Sequence, residues 1–600
     1  MDTAYRRNDK IIARKFYQYL IPTVLMVLAM QFGSLADAIV IGNFLGDSAL
    51  SAASLALPIV FLVEIPAMMI GQGASIVGAN FIGKRKILEA SQTFKLSLFL
   101  SFVSSMIFIP IGALAGDAVA KLLAGSFGEL APQIAQYIKV YAYQAPILGI
   151  GITLAYFLPS DNHPQLGAAF FIIANLVHLG AEILFCLFLD PSVAMWGVAS
   201  SMGIGILAGM SVFFVYLKSK KRVVDLKTPF KGSFAHTLPL LKAGSSGGAF
   251  TALSFVFYLV LNIAATNYLQ GMEMPLYAML TNFSFVIDIF VIGILQVMPS
   301  VVSSLFGEKD YFSVRSICRR VFLIAMIVTA VLTVISIAFP ELFFLMFGVD
   351  LSSIREGLSI DPLLVVRIYC ISFLFYTVNK FIDFYYPSSP YITPAVLVNV
   401  LRMGIIGPIA IFFLMMGFGV SGYSYGVILM EASASLIVFL FIFLMKKINR
   451  YQGKGVLLLP KDEKNEASID LSIPAKEEEV PKIVEEIQKQ AFALSNDEKA
   501  AVMLAVACEE IIVNTMEYGY KRHGPSEYID INITKTEEGI LVRIRDDGIA
   551  YDPTSYEAED EEMRYHGIEV VRKIAKDFKY LRLLNTNNTI MEIALSKPGE

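Results

Sequence analysis

The chain has 600 residues, 56% of them hydrophobic and 17% charged, with a formal net charge of −4. Soluble domains carry about 25% charged residues, so this composition excludes an ordinary soluble protein and indicates a membrane class. The charge is unevenly divided: residues 1–450 hold 29 Lys+Arg against 22 Asp+Glu, whereas residues 451–600 hold 19 against 30, an acidic balance that argues against a nucleic-acid partner.

A bilayer core takes roughly 20 apolar residues per helix. Apolar runs stand at 16–43, 50–80, 92–115, 133–158, 165–189, 193–217, 238–267, 274–304, 319–345, 362–385, 391–415 and 419–445, which predicts twelve spans. The first run is too long and continuous for a cleavable leader. One set of loops carries nearly all the Lys and Arg: Arg6, Arg7, Lys10, Arg14 and Lys15; Lys84–Lys86; Lys218–Lys231; Lys309–Arg320; and Lys446–Arg450. The opposite loops offer only Lys121 and Arg355. Positive loops stay inside, so the expectation is an inner (cytoplasmic) membrane protein with both termini cytoplasmic. The cysteines Cys186, Cys318, Cys370 and Cys508 are scattered and form neither a metal spacing nor a disulfide framework.

The two halves repeat at a constant offset of 224 residues: Asn43 falls on Asn267, Glu64 on Asp288, Gln72 on Gln296, Gly83 on Gly307, Asn175 on Asn399 and Gly180 on Gly404. Each half holds six spans that start on the same side, which makes the repeat parallel, and two such halves around a cleft form a transporter plan. The expected layout is a lobe over 1–225, a second over 226–450, a polar linker over 451–465 and a cytoplasmic domain over 466–600.

Ionisable groups at membrane depth are costly and commonly face a cavity or a partner. The candidates for substrate or ion coupling are Asp37, Glu64, His178, Glu182, Asp288 and Arg402, with Asn175 from the repeat; Glu431 reads as structural. His178 and Glu182 are spaced i, i+4 on one helix face. A buried carboxylate can hold a proton or Na⁺ in one conformation and exchange it for a cationic substrate in another. Pro22, Pro58, Pro66 and Pro299 lie inside spans, where they loosen the backbone ladder.

The membrane part resembles the MATE family of multidrug and toxic-compound extrusion transporters. The resemblance rests on the twelve spans in two lobes, on "ADAIVIGNFLGDSALSAASLALPI" (36–59) with its acid, and on "GQGASIVGANFIGKRK" (71–86) with its counterpart "LQVMPSVVSSLFGEKD" (295–310). It implies cation-coupled export of a small cationic compound, with membrane lipids as the surroundings and Asp37 matching the family's amino-lobe acid. Two departures stand out. The seventh span carries no carboxylate, and the position four residues after Asn175 is Leu179.

The tail reads as an α+β sandwich. A strand is predicted at 469–473, helices at 475–493 and 496–519, paired strands in "EYIDINITK" and "GILVRIRDDG", a helix from about 566, and closing strands at 578–584 and 589–595. Glu510 and Asn514 share a helix face; the Asn amide oxygen suits Mg²⁺, and the Glu suits an attacking hydroxyl. Asp546 can accept a hydrogen bond, and Gly548 admits a close backbone approach. "YHGIEVV" opens a helix whose free N–H groups favour phosphate. This pattern resembles the ATP-binding domain of the GHKL group, closest to anti-sigma-factor serine kinases. The resemblance implies an ATP site built from Glu510, Asn514, Asp546, Gly548, Gly567 and Thr589, with Mg²⁺ on Asn514, Glu510 as catalytic residue and a protein as phosphate acceptor. The phosphate loop, usually G-x-G, is Tyr565-His566-Gly567, and the loop before it is rich in acids (Glu557 to Glu562). Three functions stand open: a proton- or Na⁺-coupled efflux transporter with an ATP-binding regulatory tail, a membrane sensor with a serine kinase output, and a flippase for lipid-linked precursors.

Overall fold

A long uninterrupted apolar segment in a bilayer satisfies its own backbone groups by folding as a helix. The computed structural model, which describes residues 5, 7–124, 128–190, 193–347, 349–358, 360–460, 468–520, 528–555 and 566–596, contains eleven helical stretches long and apolar enough to cross a membrane. The last of these, Thr393–Lys447, has 55 residues, about twice what a bilayer needs. It is broken at Gly419, whose φ of 54° and ψ of −137° are not helical. The chain reverses there: a Cβ on Gly422 would run into the Leu414 carbonyl, and one on Gly426 would meet Ile411. Two antiparallel helices therefore share this stretch, which accommodates the last two predicted spans. A side chain at 419 is excluded twice over, by the positive φ and by the Glu273 carboxylate against it.

By its contacts the chain divides into two compact units: Gln18–Asp310 with Ile317–Gln452, and Met1–Tyr17 with Tyr311–Ser316 and Gly453–Glu600. In the first, the helix Asp47–Gly83 packs on Ala131–Phe157 of its own half and on Thr237–Tyr268 and Met298–Gly307 of the other. Small residues permit this closeness. A Cβ on Gly73 would strike the Leu240 carbonyl, one on Gly244 the Met69 carbonyl, and one on Gly83 the Ser304 carbonyl. Gly83 and Gly307, paired by the repeat, thus meet in space.

The second unit contains a five-stranded antiparallel sheet: β1 (Ser468–Pro474), β2 (Tyr528–Lys535), β3 (Gly539–Asp546), β4 (Asp577–Leu583) and β5 (Thr586–Ala594), in the order β1-β2-β3-β5-β4. Alternating Ile529, Ile531 and Ile533, with Ile540, Val542 and Ile544, turn one sheet face to the helices Val480–Ser495 and Glu498–Asn514, whose Ile483, Ile487, Leu504, Ile511 and Ile512 complete the core. These helices begin or end a few residues from the expected positions. The first starts at Val480 because Glu477–Glu479 forms a separate 3-10 turn. The second starts at Glu498 because Asp497 caps it, accepting from the Ala500 N–H. After Asn514 the helix passes into a π-helical turn, Thr515–Tyr520. The amino-terminal residues pack in this same unit: Asn8 N donates to Ser472 Oγ at 3.0 Å, Lys10 Nζ to Tyr528 OH at 2.9 Å, and Arg14 Nη1 to Asp547 Oδ2 at 2.8 Å.

Candidate functional site

Helical spacing places Asn175, His178 and Glu182 along one face of Pro164–Phe188. Facing them is Asp37 on the helix Lys10–Leu45. His178 Nε2 stands 3.3 Å from Asp37 Oδ1 and 3.9 Å from Glu182 Oε2, and ligand atoms of the three lie within 4.8 Å of one another. Asn175 donates to the Phe171 carbonyl at 2.8 Å, and its side-chain oxygen occupies the place a Cβ on Gly33 would need. Both Glu182 oxygens and Asp37 Oδ1 are buried with no hydrogen-bond partner among the described residues. Two carboxyls and an imidazole out of water are costly unless neutralised. A proton or a small cation held among them would do so, and this donor set suits either.

Between the two halves of this unit lies a cavity of about 340 Å³, its walls drawn from both. The repeat partners Glu64 and Asp288 both line it, as do Gln72 and Gln296. Each acid is held by a tyrosine on the corresponding span of its own half. Tyr141 OH donates to Glu64 at 2.9 Å, and Tyr376 OH donates to Asp288. Arg402 sits in a π-helical turn, Val400–Ile406, an irregularity common at functional sites. It binds Glu431 with both prongs, Nε at 2.7 Å and Nη2 at 2.6 Å, in a fully buried pair. Asn379 Nδ2 adds a bond to Glu431 at 2.7 Å. Arg402 and Glu431 therefore neutralise each other. The sequence reading missed Tyr141, Tyr376, Asn379 and, above all, Asp383, which lines the cavity beside Lys380. An acid three residues after a lysine inside the run 362–385 was the available signal.

In the other unit the Glu510–Asn514 spacing has its expected effect: Asn514 Nδ2 donates to Glu510 Oε1 at 2.7 Å. The helix His566–Ile574 brings Gly567 so near that a Cβ there would fall on the Glu510 carboxylate. Asp546, at the end of β3, accepts from Gly548 N at 2.9 Å and from Asn587 Nδ2 at 2.7 Å. Burial pushes its carboxyl up to about 6, against the lowering effect of the Asn587 and Gly548 hydrogen bonds. Asp546 and Thr589 line one small pocket with Thr515, Gly519, Tyr551 and Asn587. The six predicted residues thus form two adjoining groups, Glu510–Asn514–Gly567 and Asp546–Gly548–Thr589. Asn587 is the member the sequence did not disclose; it pairs with Asp546 across β3 and β5. The donors suit a Mg²⁺-nucleotide: an amide oxygen for the metal and a carboxylate acceptor for an exocyclic amine. The pocket itself is about 10 Å³, room for about one water, so a nucleotide must open it. Tyr565 and the acidic stretch Glu557–Glu562 lie outside the described residues, as does the His566 side chain.

Comparison with known proteins finds matches in both parts. The MatE family profile matches residues 22–184, and that of the histidine kinase-like ATPase domain matches residues 473–594. Among curated relatives, "Probable multidrug resistance protein YoeA" of Bacillus subtilis is 21% identical over 218 residues, covering 36% of this chain and 47% of that protein. "Probable multidrug resistance protein NorM" of Caulobacter vibrioides is 22% identical over 302 residues, covering 48% and 62%. The chain thus spans about half to three-fifths of the length of these relatives. The solved structure of "MATE multidrug transporter DinF-BH in complex with R6G" superposes with a TM-score of 0.64 at 16% identity, covering 75% of this chain and 99% of that one. The membrane part has the MATE fold, and the carboxy-terminal part carries a histidine kinase-like ATPase domain.

Proposed function

We propose that this multi-pass membrane protein, with its MATE domain and fused histidine kinase-like ATPase domain, is an efflux transporter of small organic cations driven by proton or Na⁺ exchange. The observation that carries the reading is the cavity walled by both halves, with Glu64, Asp288, Asp383 and Glu431 against Lys380 and Arg402. The excess of carboxylates favours a cationic guest. The relatives named as multidrug resistance proteins point the same way.

Asp37, His178 and Glu182 are the proposed coupling group. Loading them with a proton or Na⁺ removes the repulsion between the two carboxyls and lets the first and fifth spans pack closely. Release to the other side restores it. The coupling is then a difference in affinity between two arrangements of the half, which is what a linked equilibrium requires. Excess Lys and Arg in one set of loops supports cytoplasmic termini in an inner membrane. The carboxy-terminal domain is proposed to bind Mg²⁺-ATP as a regulator. Asn514 would hold the metal, Asp546 and Asn587 would receive the base, and Thr589 would line its pocket. Bound Mg²⁺ neutralises phosphate charge. Glu510, if it meets a protein hydroxyl there, would accept its proton in a serine kinase reaction.

Against a flippase for anionic lipid-linked precursors stands the bidentate pairing of Arg402 with Glu431, which neutralises the strongest cation of the cavity wall. A sensor with a kinase output would not need the acid cluster. Purified protein in proteoliposomes tests the reading: uptake or loss of an organic cation should follow an imposed proton or Na⁺ gradient. Flux indifferent to both gradients would refute it.

A further inference from the structure

The two cations of the cavity are held in different ways. Arg402 is fixed by two hydrogen bonds to Glu431. Lys380, also buried, stands with its ammonium 3.5 Å from Asp383 Oδ2, well beyond the 2.7–2.9 Å of a charge-assisted hydrogen bond. The same ammonium lies 3.7 Å from the centre of the Phe250 ring, over the face that attracts cations. Asp383 is itself aimed: its Oδ1 accepts from Asn399 Nδ2 at 2.8 Å and from Ser246 Oγ, which leaves Oδ2 for a charged guest. An aromatic face and a positioned carboxylate oxygen together make a receptor for an ammonium ion. Here that receptor holds a loosely bound one, on a flexible four-carbon stem.

We propose that the Lys380 ammonium is a resident cation in the ammonium subsite of the cavity, and that an organic ammonium guest binds by displacing it from Phe250 and Asp383. Lys380 is thus a specificity residue: it sets the threshold a guest must exceed and keeps Asp383 paired when no guest is present. The proposal deepens the cation-export reading, since it names the subsite and its competitor.

The test is equilibrium binding of ethidium, an aromatic quaternary cation, to the full chain in detergent at pH 8, followed by fluorescence anisotropy. Lys380→Met and Lys380→Gln, which keep the stem length but drop the charge, should each bind ethidium at least tenfold more tightly than the unaltered chain. Lys380→Arg should not tighten it. Asp383→Asn should weaken binding at least tenfold, alone or combined with Lys380→Met. Uncharged Nile red should bind all variants alike. Unchanged or weaker ethidium binding by both uncharged variants, with unaltered melting, overturns the inference, and so does the absence of ethidium binding in every protein. Tighter binding by these variants without gradient-driven flux in proteoliposomes would sustain the subsite while defeating the export reading.

Discussion

Asp546→Asn separates folding from nucleotide recognition. The carboxyl is buried at the end of β3 and accepts from Gly548 N and Asn587 Nδ2. Burial holds it up to about 6, roughly two pH units above an ordinary aspartate, so at pH 8 its ionisation withholds about 3 kcal/mol from the fold. The sign follows from proton binding. The native state binds this proton more tightly than the unfolded chain, so stability rises as pH falls through about 6 and stops rising near the unfolded value of about 4. The Asn variant removes the buried charge and keeps an acceptor oxygen for both donors. Its β3 amides should exchange no faster than wild type at pH 8, and the gain in protection between pH 6 and pH 4 should vanish. Nucleotide affinity should move the other way. Loss of a charge-assisted bond to an exocyclic amine is worth about 1.5–3 kcal/mol, or roughly ten- to a hundredfold in Kd. Calorimetric titration of the full chain with Mg²⁺-ATP at pH 7.5 measures this. Wild-type affinity should itself fall as pH drops below about 6. An Asn variant that binds within threefold of wild type would refute the assignment of Asp546 as the base acceptor.

Four further outcomes follow from the same geometry. Asp37→Asn should abolish gradient-driven flux in proteoliposomes without lowering the amount of protein purified; undiminished flux would move coupling to Glu64 or Asp288. Glu431→Gln, which strands Arg402 in the buried pair, should lower stability by about 3–5 kcal/mol, and the double change Arg402→Met with Glu431→Leu should recover most of it; equal melting of single and double variants in detergent would count against the pair. Asp497→Ala removes the cap on Ala500 N and the bond to Ser596 N, and should cost about 1 kcal/mol, read as faster exchange in the first turn of Glu498–Asn514. In a background lacking native cysteines, Phe230→Cys should be shielded from an impermeant thiol reagent in intact cells and Ser353→Cys should react; the reverse pattern would invert the topology.

The sequence by itself determined whatever depends on local order. Run length and the scarcity of charge set the helices, and loop charge set their expected direction. The fixed offset exposed the repeat, which the structure displays as Glu64 and Asp288 in one cavity and Gly83 beside Gly307. The i, i+4 spacing of Glu510 and Asn514 made their contact legible, because a helix brings such residues together wherever it lies. The tertiary structure alone decided the rest. Asp37 meets His178 and Glu182 across 141 and 145 residues of chain. Arg402 pairs with Glu431 from a neighbouring helix in the wall of the cavity. Asn587 joins Asp546 because β5 lies beside β3 in the sheet, not because of any motif. The basic residues Arg7, Lys10 and Arg14 count in the sequence as ordinary loop charge. In the fold they take up Asp530, Tyr528 and Asp547, the last next to Asp546. The reason is common to all four. A side chain's charge and shape are properties of the residue, but its partner is chosen by which helix or strand packs beside its own, and no spacing along the chain encodes that.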